Sequence, residues 1–235
     1  MTLTGLLSNA RCLLVDFDGP ICSVFAGYPA TAVADELRAI IRRGLEGKLP
    51  QALADLPPDP MQLLVEVTAL EDDRLTREIA DALRDAEITA ITTGAPTAGA
   101  AEMLLAAHET GRTVAIVSNN ASAAIDAYLG RHELNRYVDG VAARSDGMNP
   151  RLLKPHPFLL ERALTTAGAG KAGALFIGDS TSDVEAGRAA GIPTIGYANK
   201  PGKRQRLTDA GADTVIDSMH ELVDALRQPA ARPAL

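Results

Sequence analysis

Residues 11–20 read Arg-Cys-Leu-Leu-Val-Asp-Phe-Asp-Gly-Pro, an apolar run ending in two aspartates one residue apart. Leu13, Leu14 and Val15 suit a short strand buried on both faces, as in a parallel sheet. Such a strand delivers Asp16 and Asp18 to the carboxyl edge of the sheet, where open α/β folds bind ligands. With a side-chain period of two, both carboxylates point the same way while the chain stays extended. Like charges that close raise one pKa, so the pair invites a hard cation. It also offers two roles at one centre, nucleophile and proton donor. An Asp-rich turn closed by Gly19 would account for the same residues, so the choice rests on segments further along the chain.

After Gly19 the periodicity changes to that of helices. Ala34, Leu37, Ile40 and Ile41 predict a helix over 30–44, Pro57, Pro58 and Pro60 mark a turn, and two more helices are expected over 61–70 and 71–88. No strand signal interrupts 25–90. The expected organisation is a helical cap domain at 20–91 inserted into an α/β core built from 1–19 and 92–235. In the core, strands are expected at 113–117, 140–143, 174–177, 193–197 and 214–216. Helices over 96–108, 121–131, 157–167 and 183–190 separate them, the pattern of right-handed βαβ units. The Ala/Pro/Arg tail at 229–235 is expected to fray.

Charge narrows the partners. A formal net charge of −7 argues against a nucleic-acid groove, which needs clustered cations. It leaves room for a phosphorylated substrate, because a local cation or metal decides that contact. Cys12 and Cys22 flank the aspartate pair as reduced thiols and imply no disulfide framework. The first ten residues lack the pattern of a signal peptide and no run reaches the length of a membrane span, so a cytoplasmic protein is expected.

Three further polar clusters sit at the ends of expected strands or on loops near the same edge: Ser118/Asn119, Lys154 and Asp179/Asp183. In a parallel sheet all carboxyl ends share one edge, so these residues converge although they are scattered in sequence. Asp179 follows an apolar strand and Gly178 directly, which suits a metal ligand beside Asp16. Ser180 and Ser182 read better as helix caps. Lys154, flanked by Pro155 in a stiff Leu-Leu-Lys-Pro-His-Pro segment, suits a cation aimed at the acidic cluster and at an incoming phosphate. His156, between two prolines, reads as a surface residue. Ser118 has no His/Asp partner arrangement for a nucleophile, but its hydroxyl suits a phosphoryl oxygen, with the Asn119 N–H beside it; an ST-turn explains it nearly as well. The polar residues of the helical segment, Tyr28, Arg42, Arg43 and Lys48, read as solvated.

Taken in order, Asp-Phe-Asp-Gly, Val-Ser-Asn, Leu-Lys-Pro and Gly-Asp-Ser-Thr-Ser-Asp resemble the four motifs of the haloacid dehalogenase superfamily. The helical insertion resembles the C1 cap of its phosphoglycolate-phosphatase-like branch, as does the stretch from Gly196 to Lys200. The resemblance implies a Rossmann-like parallel-sheet core with helices on both faces and an all-helical C1 cap. It implies Mg²⁺-dependent hydrolysis of a small phosphomonoester through an aspartyl-phosphate, with Asp16 as nucleophile and Asp18 as general acid and then base. Ser118 and Lys154 would hold the phosphoryl group, with Asn119 and Gly19 beside it. The metal would sit among Asp16, Asp18 (through its carbonyl), Asp179 and Asp183. Pro20 departs from the Thr or Val usual after the motif glycine and stiffens the passage into the cap. A sugar phosphomutase of the β-phosphoglucomutase type uses the same carboxylate pair, and a non-catalytic phosphate- or metal-binding module would keep the fold. The expected partner is a small phosphorylated metabolite, with no nucleic acid and no membrane, in a monomer or homodimer.

Overall fold

The computed structural model describes residues 1–228; the tail at 229–235 lies outside the described residues. In chain order the elements are α1 (Leu3–Asn9), β1 (Cys12–Val15), β2 (Cys22–Ser23), α2 (Ala30–Gly44), α3 (Gln51–Ala54), α4 (Pro60–Val67), α5 (Asp73–Ala90), β3 (Ala95–Pro96), α6 (Ala100–Glu109), β4 (Thr113–Ala121), α7 (Ser122–Arg131), β5 (Gly140–Arg144), α8 (Phe158–Thr166), β6 (Ala174–Gly178), α9 (Thr181–Ala190), β7 (Thr194–Tyr197), α10 (Lys203–Ala210), β8 (Thr214–Ile216) and α11 (Met219–Arg227). Six strands form one parallel sheet in the order β5-β4-β1-β6-β7-β8. The chain is an α/β protein with a Rossmann-like core, as expected. β1 lies in the middle, so its carboxyl end is flanked by those of β4 and β6.

The alternation along β1 divides the core into two layers. Leu13, Val15 and Phe17 pack with residues of α1, α6, α7 and α11. Cys12 and Leu14 face the other layer with α8 and α9, which is continuous with the apolar faces of α2, α4 and α5. The stretch between β2 and β3 holds helices and helical turns only, and the two short strands pair antiparallel as a ribbon at its root. Two-residue strands carry no periodic signal, which is why the helix expected over 96–108 begins only at Ala100, after Pro96 has paired with Cys22 and Gly99 has turned with φ of 83°. α1, α3, α10 and α11 lie outside the elements expected from the sequence. Among the described residues no helix is long and apolar enough to cross a membrane.

Candidate active site

Asp16 continues β1 by one residue, its N–H donating to Ile177 O at 2.8 Å. Phe17 is buried in the first layer, edge-on to Tyr128 at 5.4 Å between centroids, and Asp16 and Asp18 on either side of it both line one cavity of about 750 Å³. The chain then folds back, with Phe17 O accepting from Ile21 and Cys22 N–H. Gly19 takes φ of 111°, and a Cβ there would overlap the Asp179 carboxyl. Its N–H donates to Cys22 O at 2.7 Å. The Gly19 N–H is thus committed within the loop, and the residue makes room for the Asp179 carboxyl.

Lys154 gathers the cluster. It is buried, and its Nζ donates to Asp16 Oδ1 at 2.7 Å, Asp183 Oδ1 at 2.6 Å and Val117 O at 3.3 Å. Burial alone would favour the neutral amine, but Asp16 and Asp183 outweigh it and hold the ammonium above the ordinary lysine pKa. Its loop is pinned by Asn119, whose Oδ1 accepts from Lys154 N–H at 2.8 Å and whose Nδ2 donates to Lys154 O at 3.1 Å. The Asn119 side chain therefore positions the lysine. β4 runs to Ala121, further than expected, with its pairing register shifting between Ser118 and Ala121. That irregularity aims Ser118, Asn119 and Asn120 at the cavity. Ser118 Oγ donates to Asn120 Oδ1 at 3.1 Å and accepts from Asn120 N–H at 3.2 Å.

At the end of β6, Ser180 caps α9, as its sequence context suggested, and Asp183 completes a capping box. Asp183 Oδ2 accepts from the N–H groups of Asp179 and Ser180 and from Ser180 Oγ, while Oδ1 takes Lys154. Both oxygens are thus in use orienting the lysine and the turn. Gly178 makes this possible, since a Cβ there would overlap the Asp183 side chain. Gly178→Ala should therefore cost about 1–3 kcal/mol, the range for overpacking, and weaken any activity that needs Lys154 in place. Thermal unfolding together with a rate measurement checks this; a stable, fully active variant would mean the Asp183 contact has slack.

Among the described residues, Asp16, Asp179 and Asp183 each bring a carboxylate oxygen within 4.8 Å of one another. Burial, then the charge of Asp183, raises the Asp16 pKa well above the carboxylate range; Lys154 opposes this and Asp179 adds to it. Asp179 is likewise raised by burial, against Lys203, which pairs with its Oδ2, and Asn199, which donates to the same atom at 2.9 Å. Asp18 accepts from Val24 N–H at 2.9 Å, yet burial pushes its pKa up to about 6. Four carboxylates facing two paired lysines leave surplus negative charge. Hard oxygen donors in that state fit a divalent cation such as Mg²⁺.

Three side chains in this neighbourhood lay outside the sequence expectation. Asn199, within the Gly196–Lys200 stretch, and Lys203, just after it, hold Asp179. Glu87 of α5 is fully buried, accepting from Asn120 Nδ2 at 3.0 Å, Ala121 N–H at 2.8 Å and Arg144 Nη2 at 2.5 Å. Its signal was present: Glu87 stands four residues after Leu83, on the buried stripe of Leu75, Ile79 and Leu83. His156 is exposed, as read, and none of Tyr28, Arg42, Arg43 and Lys48 lines the cavity.

Residues 59–197, more than half the chain, match the family model of the haloacid dehalogenase-like hydrolases. The chain belongs to that family. The matched stretch includes Ser118, Lys154, Asp179 and Asp183. Among proteins similar to this chain, a phosphoglycolate phosphatase of Salmonella paratyphi A is 29% identical over 55% of this chain and 50% of its own length. A pyrophosphatase of Halalkalibacterium halodurans is 32% identical over 55% of this chain and 59% of its own length. The chain spans about half the length of these relatives. A phosphoglycolate phosphatase of Photorhabdus laumondii aligns over 97% of both chains at 24% identity. The fold is shared with a hydrolase from Pseudomonas syringae (TM-score 0.69, 20% identity, 94% of this chain and 100% of that one). It is also shared with a haloacid dehalogenase-superfamily hydrolase from Geobacter sulfurreducens (TM-score 0.57, 21% identity, 92% and 96%).

Proposed function

We propose that this hydrolase is a phosphatase that cleaves a small phosphomonoester by way of an aspartyl-phosphate on Asp16. The observation that carries the reading is the contact of Lys154 Nζ with both Asp16 and Asp183 beside Asp179, against a cavity that Asp18 and Ser118 also line. Asp16 Oδ1 accepts from Lys154 and Phe17 N–H, which leaves Oδ2 to attack phosphorus. The ester P–O bond breaks, and the leaving oxygen takes a proton from Asp18. Asp18, now a carboxylate, removes a proton from water; the water oxygen attacks phosphorus and the P–O bond to Asp16 breaks. A pKa near 6 lets Asp18 serve in both directions. Ser118 Oγ and the Lys154 ammonium would steady the transferring phosphoryl oxygens.

Asp16, Asp179 and the Asp18 carbonyl would hold Mg²⁺, with Asp183 behind them. Bound there, the ion would neutralise charge on the phosphoryl oxygens and balance the carboxylate cluster. Residues 20–91 would act as a cap domain, since Phe25 and residues of α2, α4 and α5 complete the cavity wall opposite the strand ends.

Inorganic phosphate release from p-nitrophenyl phosphate tests the reading. It should require Mg²⁺ and stop with a chelator. Asp18→Asn should slow it by roughly 10²–10⁴-fold, the usual contribution of general acid–base catalysis. Faster interconversion of a sugar phosphate than its hydrolysis would make the protein a mutase, and absence of any turnover would make it a binding module.

A further inference from the structure

The wall of the cavity facing the catalytic edge carries information about the group that leaves. It is built by Phe25, Met61, Val65 and Leu83, together with Asp59, Gln62 and Glu66. The wall is therefore apolar and acidic, with the neutral Gln62 amide between, where the alcohol of the substrate would lie. Among the described residues, Lys154 is the one cation in the lining, and its Nζ is occupied by Asp16, Asp183 and Val117 O. Lys203 is paired with Asp179, and Lys200, close enough to act on Asp18, is also on the core side. The N-terminus of α4 would ordinarily attract an anion. Here it is closed by Asp59, whose Oδ1 accepts from Met61 N–H at 2.8 Å and Gln62 N–H at 3.3 Å. A second negative charge on the substrate would thus meet carboxylates, hydrocarbon and the neutral Gln62 amide on this wall, with no countercharge.

We infer that the alcohol released carries no negative charge of its own and lays an apolar face against α4: the substrate is a phosphomonoester of an uncharged or amine-bearing alcohol. This rests on the phosphatase reading above and separates this chain from the carboxylate- and phosphate-bearing leaving groups named for its relatives. Met61 and Val65, one helical turn apart on α4, would take the hydrocarbon part. Glu66, exposed beside them, would repel an anion and attract an ammonium.

The test is a size-matched series assayed for phosphate release at saturating Mg²⁺: ethyl phosphate, phosphoethanolamine and phosphoglycolate, with phenyl phosphate as the larger apolar member. Phosphoglycolate should have a kcat/KM about tenfold or more below ethyl phosphate, as expected for an uncompensated charge near carboxylates. Phenyl phosphate should exceed ethyl phosphate, and the phosphoethanolamine arm tells whether the wall prefers a cation or is merely apolar. Glu66→Lys should raise the phosphoglycolate-to-ethyl phosphate ratio by about tenfold; Gln62→Lys on the same helix is the second variant. Phosphoglycolate turned over as well as ethyl phosphate by the wild type, or a ratio that neither lysine moves, overturns the inference and leaves the phosphatase reading standing. No phosphate released from any of the four overturns the phosphatase reading itself, and this inference with it.

Discussion

Asp16→Asn should abolish phosphate release, lowering kcat by at least about a thousandfold, the scale seen when a nucleophile is removed. The substitution is nearly isosteric. The amide oxygen can still accept from Lys154 Nζ and from Phe17 N–H, the two contacts that Oδ1 makes now. Phe17 remains anchored against Tyr128, so the strand end keeps its place. What is lost is the carboxylate oxygen proposed to form the bond to phosphorus. One carboxylate also leaves a crowded buried group in which Asp183 and Asp179 both press on Asp16. Stability should therefore change little, and a thermal melt run beside the assay separates lost chemistry from lost fold. A melt close to wild type with full phosphate release would remove Asp16 from the nucleophile's role, and with it the aspartyl-phosphate. A covalent phosphoryl adduct trapped by rapid acid quench on the wild type and missing on the variant would instead assign the nucleophile to Asp16 through the intermediate itself.

The sheet was legible because its strands are continuous apolar runs that end in polar residues. All six expected core strands are present, and their carboxyl ends do share an edge. Lys154 was legible for a related reason: two prolines around a lysine have little use on a free surface loop. Local pattern could not reveal contacts made across the fold. Nothing in Gly178 itself announces that a Cβ would strike Asp183, since that meeting depends on where α9 starts. Asn119 looked like a backbone donor, yet its side chain reaches 35 positions along the chain to clamp Lys154. The Cys22–Pro96 ribbon is too short to show a period of two. Glu87 sits in a segment whose other charges are solvated, so its acid reads as one more of them. Only its place on the buried stripe of α5 sets it apart.

That buried acid gives the second large expectation. Glu87→Gln or Arg144→Met alone should destabilise the protein by about 3–5 kcal/mol, because each leaves the other charge buried without its partner. For a chain of this size that corresponds to a melting temperature lower by roughly 10 °C. Glu87 is fully buried and Arg144 is 5% exposed, and burial already raises the Glu87 pKa in spite of Arg144. Arg144 also donates to Ala80 O at 3.2 Å and to Asn119 O at 3.1 Å, so the pair ties α5 to the end of β4 and to β5. Replacing both residues with methionine removes the two charges together and should recover part of the loss, which a double-mutant cycle measures. Activity should not recover with it. Asn120 Nδ2 needs the Glu87 carboxylate, and Asn120 Oδ1 in turn receives the Ser118 hydroxyl. The double variant should therefore be folded at 25 °C yet bind the phosphoryl group poorly, seen as a rise in KM for p-nitrophenyl phosphate. Single variants within about 1 kcal/mol of wild type would show that the pair is not the tie it resembles. A double variant with unchanged KM would show that Ser118 is held by β4 alone. The helix leaving the inserted segment and the Ser118–Ala121 stretch share one buried carboxylate, so a variant that displaces α5 should also disturb the placement of Ser118.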